Sequence, residues 1–162
     1  MSLRDKLISE TRLERETRER QEAHERSQSV VHQMAEAMRA LCHLVANDFL
    51  GEYEKERLAT LRPSTMKMEN PALKGVFFPY LTIVARGVEV TLKPIGPVFG
   101  IPFRADLSND SITYALLWDG GGNLMQNWKI ATVDENGVVQ REHANPLSKE
   151  NFEEACEKLL GL

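Results

Sequence analysis

The sequence predicts an α+β fold with a long N-terminal helix, an antiparallel sheet of about six strands and a C-terminal helix. Three observations lead to this class. Residues 3–61 contain no proline and only one glycine. Residues 76–133 alternate apolar and polar side chains between turns that contain glycine or proline. Residues 148–160 return to helical spacing, so helices flank the strands in the chain.

The N-terminal helix is expected to begin at Ser2, because Ser2 and Asp5 have the spacing of a capping box. Pro63 is expected to stop it, since proline cannot continue a helix. Gly51 is the one internal residue of low helix propensity, so the segment is one helix or two that meet there. A coiled coil and a helical hairpin both fit this pattern. A continuous helix of about 60 residues would be roughly 90 Å long.

The segment TRLERETRERQEAHERSQS (11–29) interleaves arginine and glutamate with almost nothing apolar. Between residues 10 and 26, six glutamates nearly balance five arginines. Glutamate precedes arginine by four residues at Glu14–Arg18, Glu16–Arg20 and Glu22–Arg26, the favourable order for pairs along a helix. We therefore expect a solvated helix. The alternative is a polyanion contact made by four arginines: Arg12, Arg15, Arg18 and Arg20.

An apolar stripe with spacings of three or four residues follows the charged segment. It is expected to form an interface with another chain, and the equally weighted alternative is that it packs on the protein's own sheet. One small sheet could not cover a helix of this length. The predicted length therefore favours a homo-oligomer, in which a second copy covers the rest. The stripe consists of Val31, Met34, Met38, Leu41, Val45 and Phe49.

Two prolines and a terminal glycine in residues 63–75 are typical of a linker. The predicted organisation is therefore a helical region at 1–62, a linker at 63–75 and a β-meander domain with a closing helix at 76–162. The last region is expected to fold alone if the linker is a true boundary.

Hairpins are predicted from turn chemistry in the second half of the chain. A two-residue turn at Arg86–Gly87 places Leu81 opposite Leu92 and sorts most apolar residues to one face. Three prolines and two glycines make residues 93–103 an expected loop. Glycines 120–122 are expected to close a three-residue hairpin loop that sets Trp118 opposite Leu124, because a strand rather than a phosphate-binding helix follows them.

The chain continues with an expected turn at 134–137 and then the closing helix. Ser148 is the expected N-cap of this helix. Leu147 and Phe152 flank it at the positions of a hydrophobic staple, which would fix the angle at which the chain enters the helix.

No motif in the sequence indicates a chemistry. The histidines lack the spacing of a helical metal site, and Cys42 and Cys156 lie in apolar helical patterns typical of reduced core thiols. We therefore predict no catalytic, cofactor-binding or metal-ligating residue and no enzyme. The weakest alternative is a small enzyme with its site near residues 93–104, including Arg104, and at His143.

The expected function is a non-enzymatic interaction or regulatory module that oligomerises or binds a partner protein through its N-terminal helix. A nucleic-acid-associated regulator is the runner-up, which the net charge of -4 disfavours. The longest apolar run, residues 76–85, is interrupted by Pro79 and is shorter than the roughly 20 residues needed to cross a bilayer. With no apolar core for a secretory signal in the first ten residues, a cytoplasmic protein without membrane contact is expected.

Overall fold

A computed structural model describes residues 1–73, 75–120 and 127–162. It confirms the predicted α+β class, with seven strands rather than six. The helices are α1 (Leu3–Leu44), a π-helical turn (Val45–Phe49), α2 (Gly51–Lys55) and α3 (Lys149–Leu159), with short 3-10 turns at Pro71–Leu73 and Arg141–His143. The strands are β1 (Thr60–Lys67), β2 (Phe77–Ala85), β3 (Val88–Val98), β4 (Ile101–Ser108), β5 (Thr113–Trp118), β6 (Trp128–Thr132) and β7 (Asn145–Pro146).

The chain divides into two compact units, residues 1–33 and residues 34–162, with α1 contributing to both. The first unit is the charged part of α1. The second contains the end of α1, the whole sheet and α3. No helix in the described ranges is long and apolar enough to cross a membrane.

The start of α1 confirms the predicted capping box. The Asp5 N–H donates to Ser2 Oγ over 3.2 Å, and the Ser2 N–H donates to Asp5 Oδ2 over 3.1 Å. The Ser2 hydroxyl also donates to Asp5 Oδ2 over 2.6 Å, and this bond, followed by the one from the Ser2 N–H, lowers the pKa of Asp5 below its usual value of 3.8. The N-terminal boundary of the helix is therefore a local property of residues 2–5.

The helical region ends before Pro63, so the predicted stop was placed too late. The π-helical turn interrupts the path at Leu50, whose N–H donates to the carbonyl of Val45. Arg57 then takes a left-handed conformation with φ of 62°, and the N–H of Leu58 donates back to the carbonyl of Tyr53. A helix C-terminal cap therefore ends the segment, and the chain enters β1 at Thr60.

The seven strands form one antiparallel sheet in chain order, each strand hydrogen-bonded to the next. The predicted β2–β3 register is confirmed, with Leu81 opposite Leu92 and Ala85 opposite Val88. Arg86 and Gly87 both have positive φ, 54° and 77°, as a type I′ turn requires.

Two segments expected to be irregular are strands instead. Residues 63–67, expected to begin a linker, form the second part of β1 and pair with Leu81 to Phe77. Pro63 fits there because β1 is an edge strand, where a missing N–H need not break a ladder. Most of residues 93–103, expected to be a loop, belong to β3 and β4. Register shifts on either side of Gly96 accommodate its prolines and glycines.

The predicted β5–β6 hairpin exists, but its register was wrong. Trp118 lies opposite Trp128 rather than Leu124, so residues 119–127 connect the strands instead of a three-residue loop. The glycine loop itself falls largely on residues 121–126, outside the described residues. Trp128 is 1% exposed and its ring meets Phe103 edge-on at 6.2 Å. Burial of this indole therefore accounts for the observed register.

The main core lies on one face of the sheet. Helix α3 packs along that face, since the Asn109 side chain of the β4–β5 turn donates to the carbonyl of Leu159 over 2.8 Å. The rings of Phe49 and Phe152 are 5.3 Å apart and join the end of the first helical region to α3. Fully buried members of this core include Met38, Leu41, Leu81, Leu92, Phe103, Leu107, Leu116, Trp128, Phe152 and Leu159.

A smaller apolar cluster lies on the opposite face, around β5 and β6. Its buried members are Ile101, Ala115, Leu117 and Ala131. The segment after β6 contributes partly buried Val133, Val139 and Ala144 to it. The turn predicted at 134–137 is confirmed, because the Asp134 carboxylate accepts the N–H groups of Asn136 and Val138, each over 2.9 Å.

The closing helix α3 has the predicted Ser148 N-cap. Ser148 Oγ accepts the N–H of Asn151 over 3.2 Å, and the Asn151 side chain accepts the N–H of Ser148 over 2.8 Å. This reciprocal box sets the start of α3 and places Phe152 on its buried face.

Candidate functional site

The apolar stripe predicted as an interface is mostly enclosed by the protein's own chain. Val31 is partly exposed. The other five residues are buried: Met34, Met38, Leu41, Val45 and Phe49. This burial favours the alternative that the stripe packs into the chain's own core. A role for these residues at an interface with another chain stays a prediction.

The charged half of α1 shows one intrahelical ion pair among the described residues, and it is not one of those predicted. Arg12 Nε lies 3.0 Å from Glu16 Oε1. The expected pairs of Glu14, Glu16 and Glu22 with the arginines four residues later are not within 4.0 Å in this fully described segment. The arginines therefore form fewer ion pairs with neighbouring glutamates than their spacing predicted.

One side of α1 combines arginines with exposed apolar residues, and we call it the cationic face. A helix turns by roughly 100° per residue, so residues spaced by three or four positions share a side. No carboxylate falls within this side over residues 4–18. The cationic face comprises Arg4, Leu7, Ile8, Thr11, Arg12, Arg15 and Arg18.

The two aliphatic residues at the centre of the cationic face are well exposed, Leu7 at 54% and Ile8 at 57%. Together with Thr11, Arg12 and Arg15 they line a shallow depression on the helix surface. Arg20 points about 140° away from Arg15 on the same helix. The structure therefore brings three of the four predicted polyanion-binding arginines together and separates the fourth.

A second candidate surface is a groove of about 320 Å³ lined by α2, the end of β2 and α3, which we call the α2–α3 groove. Its lining is mainly apolar and includes Leu50, Leu58, Ala59, Ile83, Ala85, Cys156, Leu160 and Leu162. The polar lining residues are Tyr53, Arg86, Glu153 and Glu157. Such an apolar cavity with a few polar groups is the usual form of a binding site.

Local backbone features assemble the α2–α3 groove from distant parts of the chain. The left-handed Arg57 turns the chain after α2, and Leu58 and Ala59 follow it into the lining. At the end of α3, the N–H of Leu160 donates to the carbonyl of Cys156 over 2.8 Å. Gly161, with φ of 73°, then lets the chain turn so that Leu162 also lines the groove.

The groove has an acidic rim. The pKa of Tyr53 is raised, and desolvation is the largest cause. The hydrogen bond and charge of Glu153 and the charges of Glu157 and Glu52 are smaller causes in the same direction. Burial, and then the charge of Glu153, raises the pKa of Cys156 to about 12. At neutral pH this thiol is therefore protonated, and its position suits packing rather than nucleophilic attack.

Arg104, named for the small-enzyme alternative, is held by Asp106. Arg104 Nε lies 2.7 Å from Asp106 Oδ1, and Nη2 lies 3.2 Å from Oδ2. The two side chains are 14% and 18% exposed on the sheet face opposite α3. Burial raises the pKa of Asp106 although the Arg104 charge opposes that rise. The geometry is that of a structural ion pair that orients Arg104 along the sheet.

His143, the other residue of that alternative, lines a different cavity of about 180 Å³. Tyr114, Asn145, Glu154 and Lys158 are among the residues that share this cavity, and Arg104 is not. The structure therefore does not place Arg104 and His143 in one site. No cluster of three potential metal ligands occurs within residues 1–73, 75–120 and 127–162.

Sequence reasoning named three arginines of the cationic face but missed its aliphatic centre, and it missed the α2–α3 groove entirely. The cationic face could have been found, because positions 4, 8, 11, 15 and 18 repeat at helical spacing. The α2–α3 groove could not, because its residues come from segments far apart in the chain. No family model, curated protein or solved structure matches this chain.

Proposed function

We propose that the protein is a non-enzymatic interaction module that binds another protein chain through the cationic face of α1. The observation that supports this most directly is the exposure of Leu7 and Ile8 on a side of the helix that, over residues 4–18, carries arginines and no carboxylate. An amphipathic helix commonly binds by laying such aliphatic anchors, spaced by three or four residues, into an apolar groove. Arginines beside the anchors would then select an acidic partner surface.

The packing of the stripe supports this assignment of roles within α1. Residues such as Met38 and Leu41 are buried in the unit of residues 34–162, so they are committed to stability. Residues 1–33 form a unit of one helix with nearly every side chain exposed. We therefore move the proposed binding surface from the stripe at 31–49 to residues 4–18.

The test compares a double substitution on the cationic face with a single control substitution elsewhere on α1. The variant Leu7→Ser/Ile8→Ser removes the aliphatic centre of the cationic face, whereas Leu13→Ser removes a similarly exposed leucine outside it. We expect the first variant to lose at least about tenfold in affinity for the bound chain and the second to lose little. Analytical ultracentrifugation measures self-association, and affinity capture from the native host measures other partners.

Equal behaviour of the wild type and both serine variants in both assays would rule out the cationic face as the binding surface. Circular dichroism and thermal unfolding of each variant serve as folding controls. Since the changed residues are exposed, we expect unfolding free energies within about 0.5 kcal/mol of wild type.

The runner-up, a nucleic-acid-associated regulator, draws on the same arginines. Arg12, Arg15 and Arg18 lie on one side of α1, which would suit phosphate contacts. Against it stand the net charge of -4 and the ion pair that Arg12 makes with Glu16. The runner-up is tested by measuring affinity for nucleic acid at several salt concentrations. If the arginines contact phosphates, this affinity should fall steeply with salt in the wild type, and the variant in which Arg12, Arg15, Arg18 and Arg20 are changed to glutamine should lose that dependence.

A further inference from the structure

We infer that the α2–α3 groove of one copy of this protein binds the cationic face of a second copy. This inference rests on the proposed function and names the partner as the chain itself. The two surfaces lie in different compact units, the face within residues 1–33 and the groove within residues 34–162. Each copy therefore carries both halves of the contact.

Apolar complementarity is the first argument. The groove lining includes the apolar residues Leu50, Ile83 and Leu160 together with the exposed Leu58 and Leu162. Its volume of about 320 Å³ lies at the lower end of the range for binding sites, which suits a few side chains rather than a large ligand. Leu7 and Ile8 are exposed aliphatic residues of the kind that such a lining binds.

Charge complementarity is the second argument. Glu153 and Glu157 line the groove together with Tyr53, and the charges of both, with that of Glu52, act on the Tyr53 hydroxyl. The cationic face presents Arg15 and Arg18, neither of which forms an ion pair among the described residues. An acidic rim around an apolar floor thus matches arginines around an apolar centre.

Two basic residues lie near the acidic rim and set its net charge. Arg86 lines the groove, and Lys149 Nζ lies 4.0 Å from Glu153 Oε1. Glu157 forms no ion pair within the described part of the chain. Glu157 is therefore the rim carboxylate most available to an arginine of a second copy.

The inferred contact is heterologous, because it joins two different surfaces rather than one surface to itself. Repeated in one direction, such a contact forms closed rings or open chains, and when two copies insert their helices reciprocally it forms a two-fold dimer that is isologous as a whole. In either arrangement, disabling the face on one copy and the groove on another still leaves one intact contact between them. This property gives a specific test.

The experiment uses two charge-reversal variants of the full chain and a control. The face variant is Arg15→Glu/Arg18→Glu, and the groove variant is Glu153→Lys/Glu157→Lys. The control, Glu142→Lys/Glu154→Lys, makes the same charge change at exposed positions outside the groove lining. Sedimentation velocity at low salt and micromolar concentration then measures self-association of each variant and of equimolar mixtures.

We expect each of the two variants to self-associate at least about tenfold more weakly than wild type, and the control to match wild type. Mixing the face variant with the groove variant should restore a complex, because the groove variant retains an intact face and the face variant an intact groove. Should the lysine substitutions prevent folding, Glu153→Gln/Glu157→Gln should weaken association in the same direction by a smaller factor.

Three results would overturn the inference: a monomeric wild type, a groove variant that associates like wild type, or a mixture that stays monomeric. If the face variant alone loses association, the proposed function stands and only the groove is rejected. If both variants associate like wild type, the cationic face is rejected as a self-association surface, and affinity capture with the serine variants then decides the proposed function. The two proposals therefore fail in distinguishable ways.

Discussion

The two parts of α1 belong to one helix and differ in almost every physical respect. In residues 3–33 every side chain is exposed except Glu16 and Val31, which are partly exposed. In residues 34–44 the helix buries Met34, Ala35, Ala37, Met38 and Leu41. The backbone hydrogen bonding continues across this boundary. Helical conformation alone therefore does not reveal which part of a helix belongs to a core.

The comparison shows that the two parts depend on different sources of stability. Burial of a methionine or leucine contributes about 1.5–3 kcal/mol, so the second part is held by the core. The first part has a capping box and the Arg12–Glu16 pair, and such a surface pair contributes only about 0.3–0.5 kcal/mol. Isolated helices are marginally stable in water, so the first part is the one whose helical structure a contact with another chain would stabilise most.

Truncation of the chain should give the largest difference in stability between the two parts of α1. A fragment of residues 34–162 should unfold cooperatively, with a free energy of unfolding within about 1 kcal/mol of the full chain. A fragment of residues 76–162 should not fold, because it loses β1, which pairs with β2 from Phe77 to Val84, and the buried residues of α1.

Urea unfolding followed by circular dichroism measures both fragments. A cooperative transition for residues 76–162 would restore the domain boundary expected from the sequence at residues 63–75. Loss of cooperativity in residues 34–162 would show that the first unit contributes to the stability of the second.

A single charge placed in each part of α1 should give the next largest effect. Met38 is 0% exposed, so Met38→Asp buries an unpaired carboxylate and should lower the free energy of unfolding by about 4 kcal/mol or more. Leu13 is 59% exposed, and Leu13→Asp should change the free energy of unfolding by less than about 0.5 kcal/mol. Urea midpoints at a constant m-value report both changes, and similar losses at the two sites would contradict the proposed division of α1.

The ion pairs of the two units should show the smallest contrast. Arg104→Gln leaves the mostly buried Asp106 carboxylate without its cation and should lower the free energy of unfolding by about 1–3 kcal/mol, less than for a fully buried pair because solvent still reaches both side chains. Glu16→Gln, which breaks the exposed pair with Arg12, should cost less than about 0.5 kcal/mol. Chemical denaturation at neutral pH compares the two.

Replacing Asp106 by asparagine, which does not titrate, should reveal a pH dependence of defined sign. Folding raises the pKa of Asp106 above its usual 3.8, so the folded state binds a proton more readily than the unfolded state. The stability that this carboxyl contributes is therefore fully present at low pH and falls as pH rises through the folded pKa. The free energy of unfolding of the wild type minus that of Asp106→Asn should increase as the pH is lowered toward 3.8, and a decrease would place the folded pKa below that value.

Local chemistry explains which elements could be predicted from the sequence. The caps at Ser2 and Ser148 and the Arg86–Gly87 turn follow from hydrogen bonds or positive φ within a few residues. The β2–β3 register follows in turn, because a two-residue turn leaves one pairing that sorts the apolar side chains. In each case the determining contacts lie close together in the chain.

Tertiary contacts decided the strand registers and boundaries that the sequence pattern left ambiguous or predicted wrongly. Several registers of β5 and β6 satisfy a glycine-rich connection, and burial of Trp128 against Phe103 selects the observed one. Pro63 is typical of a linker in sequence, yet the edge of a sheet accommodates it as part of β1.

The sequence by itself determined the α+β class, the helix caps and the first hairpin, because those depend on periodicity and short-range hydrogen bonds. It also determined the cationic face, since helical spacing alone places Leu7, Ile8 and Arg15 on one side. Only the tertiary structure decided that Met38 and Leu41 pack within their own chain, because an apolar stripe looks the same whether it meets its own sheet or another protein. The α2–α3 groove likewise required the fold, since α2, β2 and α3 are brought together only by packing.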